Sequence, residues 1–328
     1  MKIRNRWFYA GLGVVILLFA GLVYAWSVLS APIAQEFPTW TKAQLSLTFT
    51  LVMTLFCLGC LVGGFLSARL SPKLYCWAGA LLHLAGFVLA SRTQALWQLY
   101  VGFGVLCGFG SGLLYNASLS AIGRWFPDKQ GLISGILLMG FGISSFIAGK
   151  IYQAATPDVI GAWRQSFVVL GIISAAVVAV CGFFIRKPDA DFQPPAPARE
   201  KRRAVNPVAM EATPVQALKS PAFWMYYLWA ILLSAAGLAI VSQATGMVRE
   251  VGAAISGSAV ATIVGLISIF NGIGRILLGG LYDRAGRNAT MQLVNIGFIL
   301  TAGVLVIALK TQSLALIVAG FILGGLSY

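Results

Sequence analysis

Ten stretches of roughly 20 apolar residues recur along this chain, and they limit its fold more than any other feature. They fall at about 7–30, 44–68, 74–91, 95–121, 131–150, 163–185, 222–247, 258–282, 290–309 and 312–328. About 20 apolar residues are what an α-helix needs to cross a bilayer. No water reaches a peptide group in hydrocarbon, so each stretch has to be helical. A chain that is 59% hydrophobic and only 10% charged cannot hide that surface in a water-soluble core. The expected class is all-α, a polytopic membrane protein. The first run is too long for the core of a cleaved leader and is read as an uncleaved span.

The formal charge of +14 invites a nucleic-acid reading, but its placement argues against one. Sixteen Lys and Arg residues fall in the N-terminus and even-numbered loops, six in the odd-numbered loops, and one inside a span. Such asymmetry orients membrane proteins with the richer side in the cytoplasm, which places the N-terminus there. The one long polar segment, Arg186 to Ser220, holds six prolines and the run Glu200-Lys-Arg-Arg203. It divides the chain into an N-terminal six-helix bundle (1–186), a cytoplasmic linker (187–220) and a C-terminal bundle of four helices (221–328). Thr41-Lys-Ala-Gln44 has the capping-box pattern and is expected to open the second helix.

All five cysteines lie within apolar spans, so neither a disulfide nor a metal site is expected, despite the redox-like spacing of Cys57 and Cys60. Glycine strings such as Gly108-Phe-Gly-Ser-Gly112 have no flanking strand and read as close helix packing rather than a nucleotide loop. No nucleophile–base pair or ligand cluster occurs within the spans. An enzyme is not expected, and no cofactor or metal is called for.

Arg275, in the eighth span, is the residue inside hydrocarbon. A cation at such depth costs about 2.5–3.5 kcal/mol on insertion scales, so it points to a function. Ser268, Asn271 and Arg275 follow helical spacing and share one face. Arg275 could instead snorkel to the headgroups or pair with Asp283. Helical side chains lean toward their own N-terminus, however, and here that is away from the nearer membrane surface. A guanidinium presents two N–H groups to the two oxygens of a carboxylate, so a small organic anion is the expected ligand. All nine acidic residues sit in loops or at span ends, leaving His83 as the one candidate proton relay. Anion exchange or facilitated flux is the simpler mechanism. Tyr24, Trp26, Tyr115 and Tyr328 are the aromatic candidates for a substrate cavity. Tyr24 and Trp26 are two apart, so at most one faces it squarely. Asn116 and Ser118 add a polar patch beside Tyr115.

Two segments repeat 215 residues apart. Gly64-Phe-Leu-Ser-Ala-Arg69-Leu-Ser-Pro-Lys73 follows the second span, and Gly279-Gly-Leu-Tyr-Asp283-Arg284-Ala-Gly286-Arg287 follows the eighth. Duplicated halves around a central site are the build of many secondary transporters. The second copy resembles the cytoplasmic loop signature of the major facilitator superfamily. Its carboxylate is expected to pair with arginines and a helix N-terminus when the cytoplasmic side closes. In the first copy Ala68 replaces the acid and Ser71 the glycine, which weakens it.

Two further stretches are more specific. Asn5-Arg-Trp-Phe-Tyr9 opens the first span, and the motif Arg124-Trp125-Phe126-Pro127-Asp128-Lys129-Gln-Gly131 follows the fourth. Together these resemble the oxalate/formate antiporter family. The resemblance implies a monomeric carboxylate carrier in a prokaryotic inner membrane, with Arg275 pairing the substrate carboxylate. It also implies a second cation in an eleventh span; the chain stops at Tyr328, inside the tenth, so a truncated product is expected. The alternatives are a proton-linked monocarboxylate carrier and a non-transporting fragment or membrane sensor.

Overall fold

A computed structural model describes residues 5–328 apart from 68, 158, 190–191, 193–212 and 253–254. The basic run from Glu200 to Arg203, most of the linker prolines and Ala68 therefore lie outside the described residues. Among the described residues every regular element is helical.

The first span is not one uniform helix. Asn5 caps α1 (Arg6–Ala20) by accepting the Trp7 N–H at 3.0 Å. The chain then tightens into a 3₁₀ turn over Gly21–Ala25 before α2 (Trp26–Leu29). A Cβ on Gly21 would collide with the Phe141 carbonyl, which only a glycine avoids. The connection expected as a loop from Ala31 is itself partly helical, as α3 (Ala31–Glu36). The capping box then opens α4 (Lys42–Leu66) as expected. Thr41 Oγ1 accepts the Gln44 N–H at 3.2 Å, and Gln44 Oε1 accepts the Thr41 N–H at 2.8 Å.

α5 (Pro72–Ser91) is followed by a fourth span in three parts: α6 (Leu96–Leu99), a π-helical stretch over Tyr100–Cys107, and α7 (Gly108–Gly123). The wide turns set glycine backbones against two neighbours at once. A Cβ on Gly102 would lie 2.8 Å from the Gly86 carbonyl of α5, and one on Gly108 2.7 Å from the Val52 carbonyl of α4. π-helical turns replace the usual i→i−4 ladder, and close packing of this kind compensates for the weaker geometry.

The remaining helices are α8 (Gln130–Ala155), α9 (Trp163–Phe184), α10 (Pro214–Lys219), α11 (Pro221–Val251), α12 (Gly257–Ala285), α13 (Arg287–Thr311) and α14 (Leu314–Ser327). The short α10 lies in the stretch expected as linker. Its signal was local: Thr213-Pro-Val-Gln216 is a capping box with proline at the first helical position, and both reciprocal bonds are present.

The chain forms two compact units, Met1–Pro127 with Ile136–Pro194, and Asp128–Gly135 with Pro195–Tyr328. In the first, α5 packs on α9 and α4 on α7, and α1 contacts both α7 and α9. Trp26, Phe87, Phe103, Trp163 and Phe167 form its core. His83, fully buried on α5, ties three helices: one ring nitrogen bonds Ser174 Oγ of α9 at 3.0 Å, the other Ser111 Oγ of α7 at 2.9 Å. At one end of the unit Glu36 accepts from the Arg164 guanidinium and the Trp163 indole, each at 2.6 Å. The other arm of Arg164 reaches the carbonyls of Ser91 and Thr93. In the second unit α14 packs on α12 and α13, around Ile267, Leu305, Ile317 and Phe321.

Both units turn large apolar side chains outward. Leu81 is 67% exposed and Ile299 71%, an arrangement that water would penalise and hydrocarbon accepts. Nine helices among the described residues are long and apolar enough to span a membrane, and the 14-residue α14 is a shorter tenth apolar helix. The chain is a multi-pass membrane protein.

Candidate functional site

In the second unit the polar stripe of α12 lies as helical spacing requires. Asn271 is only 7% exposed, while Ser268 and Arg275 are half-buried one turn to either side. The Asn271 amide nitrogen has no hydrogen-bond partner among the described residues. A buried orphan donor costs about 1–3 kcal/mol, so this amide is poised for an acceptor. The Tyr328 ring packs onto Gly237 of α11, where any Cβ would collide with it. Glycines bring the backbones together here: Gly274 meets the Leu326 carbonyl, and Gly325 lies against the Ile267 carbonyl.

One helical turn or two further along α12, the repeated loop motif makes its own constellation. The Asp283 carboxylate accepts the N–H of Gly131 through one oxygen and that of Leu132 through the other, both at 2.8 Å. These are first-turn amides of α8, which have no intrahelical acceptor. Residues 128–135, within the expected N-terminal bundle of 1–186, group with the second unit for this reason. Gly279 and Gly131 touch backbone to backbone, and Gly135 does the same with the Arg275 carbonyl, so any side chain at these glycines would part the helices. Gly286 has φ +88°, a reversal between α12 and α13 that favours glycine. Arg284 and Arg287 are exposed. Of the two partner types expected for Asp283, the helix N-terminus is present in these two bonds.

The first-copy glycine, Gly64, lies near the Asn116 amide, with Arg69 exposed beyond it. In place of an acid, Lys187 Nζ secures that turn by donating to the Ser67 carbonyl at 2.6 Å.

The aromatic candidates of the first unit separate. Tyr24 is 37% exposed and stands edge-on to Phe141 (5.2 Å between centroids) and Phe49 (6.2 Å). Tyr115 stands edge-on to Phe56 and Phe141, both at 5.3 Å. Phe49, Phe56 and Phe141 went unnoticed in the sequence, although Phe49 and Phe56 are seven apart on α4 and so share its face. Trp26 belongs elsewhere: its ring is in the core against Phe103, and its N–H donates to the Leu45 carbonyl at 3.2 Å. The polar patch expected beside Tyr115 also turns away. Asn116 donates to the Cys60 carbonyl of α4 at 3.3 Å, and Ser118 is fully buried.

The two motifs that carried the family resemblance meet in space. Trp125 stacks on Tyr9 (4.5 Å, 14°) and donates its indole N–H to the Arg186 carbonyl at 2.9 Å. Arg186 donates back to the Tyr9 hydroxyl at 2.8 Å. Phe126 takes Trp7 edge-on and the Arg6 guanidinium over its face. Arg124, Pro127 and Lys129 are exposed and Asp128 half-buried. Trp125 and Phe126 therefore fasten the start of the first span to the end of the sixth.

Two compact units of membrane-crossing helices, with a loop motif repeated after the second and eighth spans, set the class of this fold. The Major Facilitator Superfamily profile matches residues 11–328, and the chain belongs to that family. It is 26% identical over 300 residues to the oxalate:formate antiporter of Oxalobacter formigenes, covering 88% of this chain and 66% of that one. To the uncharacterised transporter YhjX of Escherichia coli it is 27% identical over 299 residues, covering 91% and 70%. Monocarboxylate transporter 13 of Rattus norvegicus is 33% identical over 125 residues, 38% of this chain and 28% of that relative. The chain thus spans about two thirds of the length of the two prokaryotic relatives. Among solved structures the proton:xylose symporter XylE superimposes with a TM-score of 0.65 at 12% identity, covering 98% of this chain and 80% of that one. FucP in its outward conformation gives 0.64 at 17%, with 98% and 82% covered.

Proposed function

We infer that this chain carries small carboxylate anions across a prokaryotic inner membrane by alternating access, with its N-terminus in the cytoplasm. Arg275 is the substrate-binding cation, and Asn271 and Ser268 supply further polar contacts on the same helix face. The observation that carries this is the orphaned Asn271 amide, 93% buried one turn from Arg275 and lacking an acceptor that a carboxylate would provide. Tyr24 and Tyr115 are the proposed substrate contacts of the first unit, and Tyr328 that of α14; Trp26 is left out because its ring is committed to the core. Asp283, with Gly279 and Gly131, forms the cytoplasmic clasp.

Exchange is favoured over proton coupling by the state of the one histidine. Both ring nitrogens of His83 are bonded to serines at a fully buried position that ties three helices together, the place of a packing residue rather than of a relay open to solvent. Kinship with oxalate:formate and monocarboxylate transporters supports the anion class. The test is uptake of labelled oxalate, formate and lactate into liposomes holding the reconstituted chain. Arg275→Gln is expected to abolish uptake while the protein still inserts, and Asn271→Leu to weaken it about tenfold, the loss of one hydrogen bond to a charged group. Undiminished uptake by Arg275→Gln would overturn the assignment. Uptake that collapses with a protonophore would favour the proton-linked alternative.

A further inference from the structure

We propose that the groove between one end of α5 and the last turn of α9 binds an anionic glycerophospholipid, with an acyl chain along the groove and the phosphate at Lys73. The groove is shallow and open along one side, has a volume of about 380 Å³, and is lined by Trp77 of α5 and by Ala179, Val180, Phe183 and Phe184 of α9. It opens sideways from the helix pair, where Trp77, Val180, Phe183 and Phe184 are 44–61% exposed and meet lipid. Its floor is firm, because the Trp77 indole donates to the Ala179 carbonyl at 3.3 Å and Gly182 lets α9 close onto Cys76.

The charge sits at one mouth only. Lys73 lies in the first turn of α5, and its ammonium stands 5.0 Å over the Phe183 ring with no hydrogen bond or ion pair among the described residues. Lys187 follows α9 at the same mouth and is partly spent on the Ser67 and Leu70 carbonyls. Ser71 makes no side-chain cap on α5, so the positive end of a 20-residue helix lies in the same first turn as Lys73. An apolar channel with cations at one end and an interfacial tryptophan beside them is complementary to a lipid whose headgroup is negative. A zwitterionic lipid fits the channel but gains nothing from Lys73. A free phosphate meets the lysine but leaves the channel empty.

The experiment is native mass spectrometry of the full chain, equilibrated with phosphatidylglycerol, cardiolipin or phosphatidylcholine of matched acyl length. Wild type is expected to retain the two anionic lipids preferentially. Lys73→Gln should weaken that retention about fivefold, the factor one basic side chain near an anionic surface is worth, and leave phosphatidylcholine unchanged. Phe184→Ala, which removes a wall of the channel other than the ring beneath the Lys73 ammonium, should weaken all three. Equal retention of anionic and zwitterionic lipid by wild type, or unaltered retention by Lys73→Gln, overturns the proposal. So does displacement of phosphatidylglycerol by millimolar inorganic phosphate, which would show that the acyl channel adds nothing.

Discussion

Replacing Asp283 by Asn tests the clasp between α12 and α8 at two known amides. In the native chain each carboxylate oxygen takes one N–H at 2.8 Å, from Gly131 and from Leu132. A hydrogen bond to a charged acceptor is worth about 1.5–3 kcal/mol net. Asn keeps one oxygen, which holds one amide with a neutral bond of about 1 kcal/mol. Its NH₂ then faces the other amide, donor against donor. The charge that complements the helix dipole, worth about 0.3–1 kcal/mol, is also gone. Asp283 is only half-buried, so the low end of each range applies, and the net loss is about 2 kcal/mol. At 1.4 kcal/mol per factor of ten, local opening should rise about 30-fold. Hydrogen–deuterium exchange reads this directly. Peptides holding Gly131 and Leu132 should exchange about 30-fold faster in Asp283→Asn, while peptides from α5 and α9 keep their native rates. Unchanged protection at those two amides would refute the reasoning, since it would mean the carboxylate contributes nothing to holding them.

Two further substitutions probe the first unit. His83→Leu strands the fully buried hydroxyls of Ser111 and Ser174. It should destabilise the protein by about 2–4 kcal/mol, seen as earlier thermal unfolding in detergent; a triple change that also makes both serines Ala should recover much of the loss. Trp125→Phe keeps the stack on Tyr9 but loses the N–H to the Arg186 carbonyl, at a cost of about 1 kcal/mol by the same assay. Trp125→Ala removes the ring as well and should cost about 3–5 kcal/mol.

What could be read from the sequence follows the range of each interaction. The spans were legible because a bilayer imposes length and apolarity on each helix separately. The capping box at Thr41 was legible because both partners lie within four residues. The one at Thr213 carries the same pattern but sits in a proline-rich stretch, and the surrounding composition outweighed it. Helical spacing put Ser268, Asn271 and Arg275 on one face, yet nothing local indicated that the Asn271 amide lacks a partner. The two N–H donors to Asp283 lie 151 and 152 residues away, beyond any local pattern. Likewise the choice between Tyr24 and Trp26 depended on where the core lies, and the 3₁₀ and π-helical stretches depended on which backbones press against Gly21, Gly102 and Gly108. Long-range packing decides such features, and a single sequence shows only its consequences in the placement of glycine.

The span of the Asp283 clasp also sets an order in time. Ribosomes add about 5–20 residues per second. The 152 residues between Gly131 and Asp283 therefore take roughly 8–30 s to make, at those rates. The fastening of Tyr9, Trp125 and Arg186 is complete only 61 residues after Trp125, so it closes earlier in the same synthesis. During the interval the Gly131 and Leu132 amides lack the Asp283 carboxylate that receives them in the finished fold. The nascent chain thus passes through a stage in which one bundle is fastened and the leading turn of its fifth span still awaits a residue not yet translated.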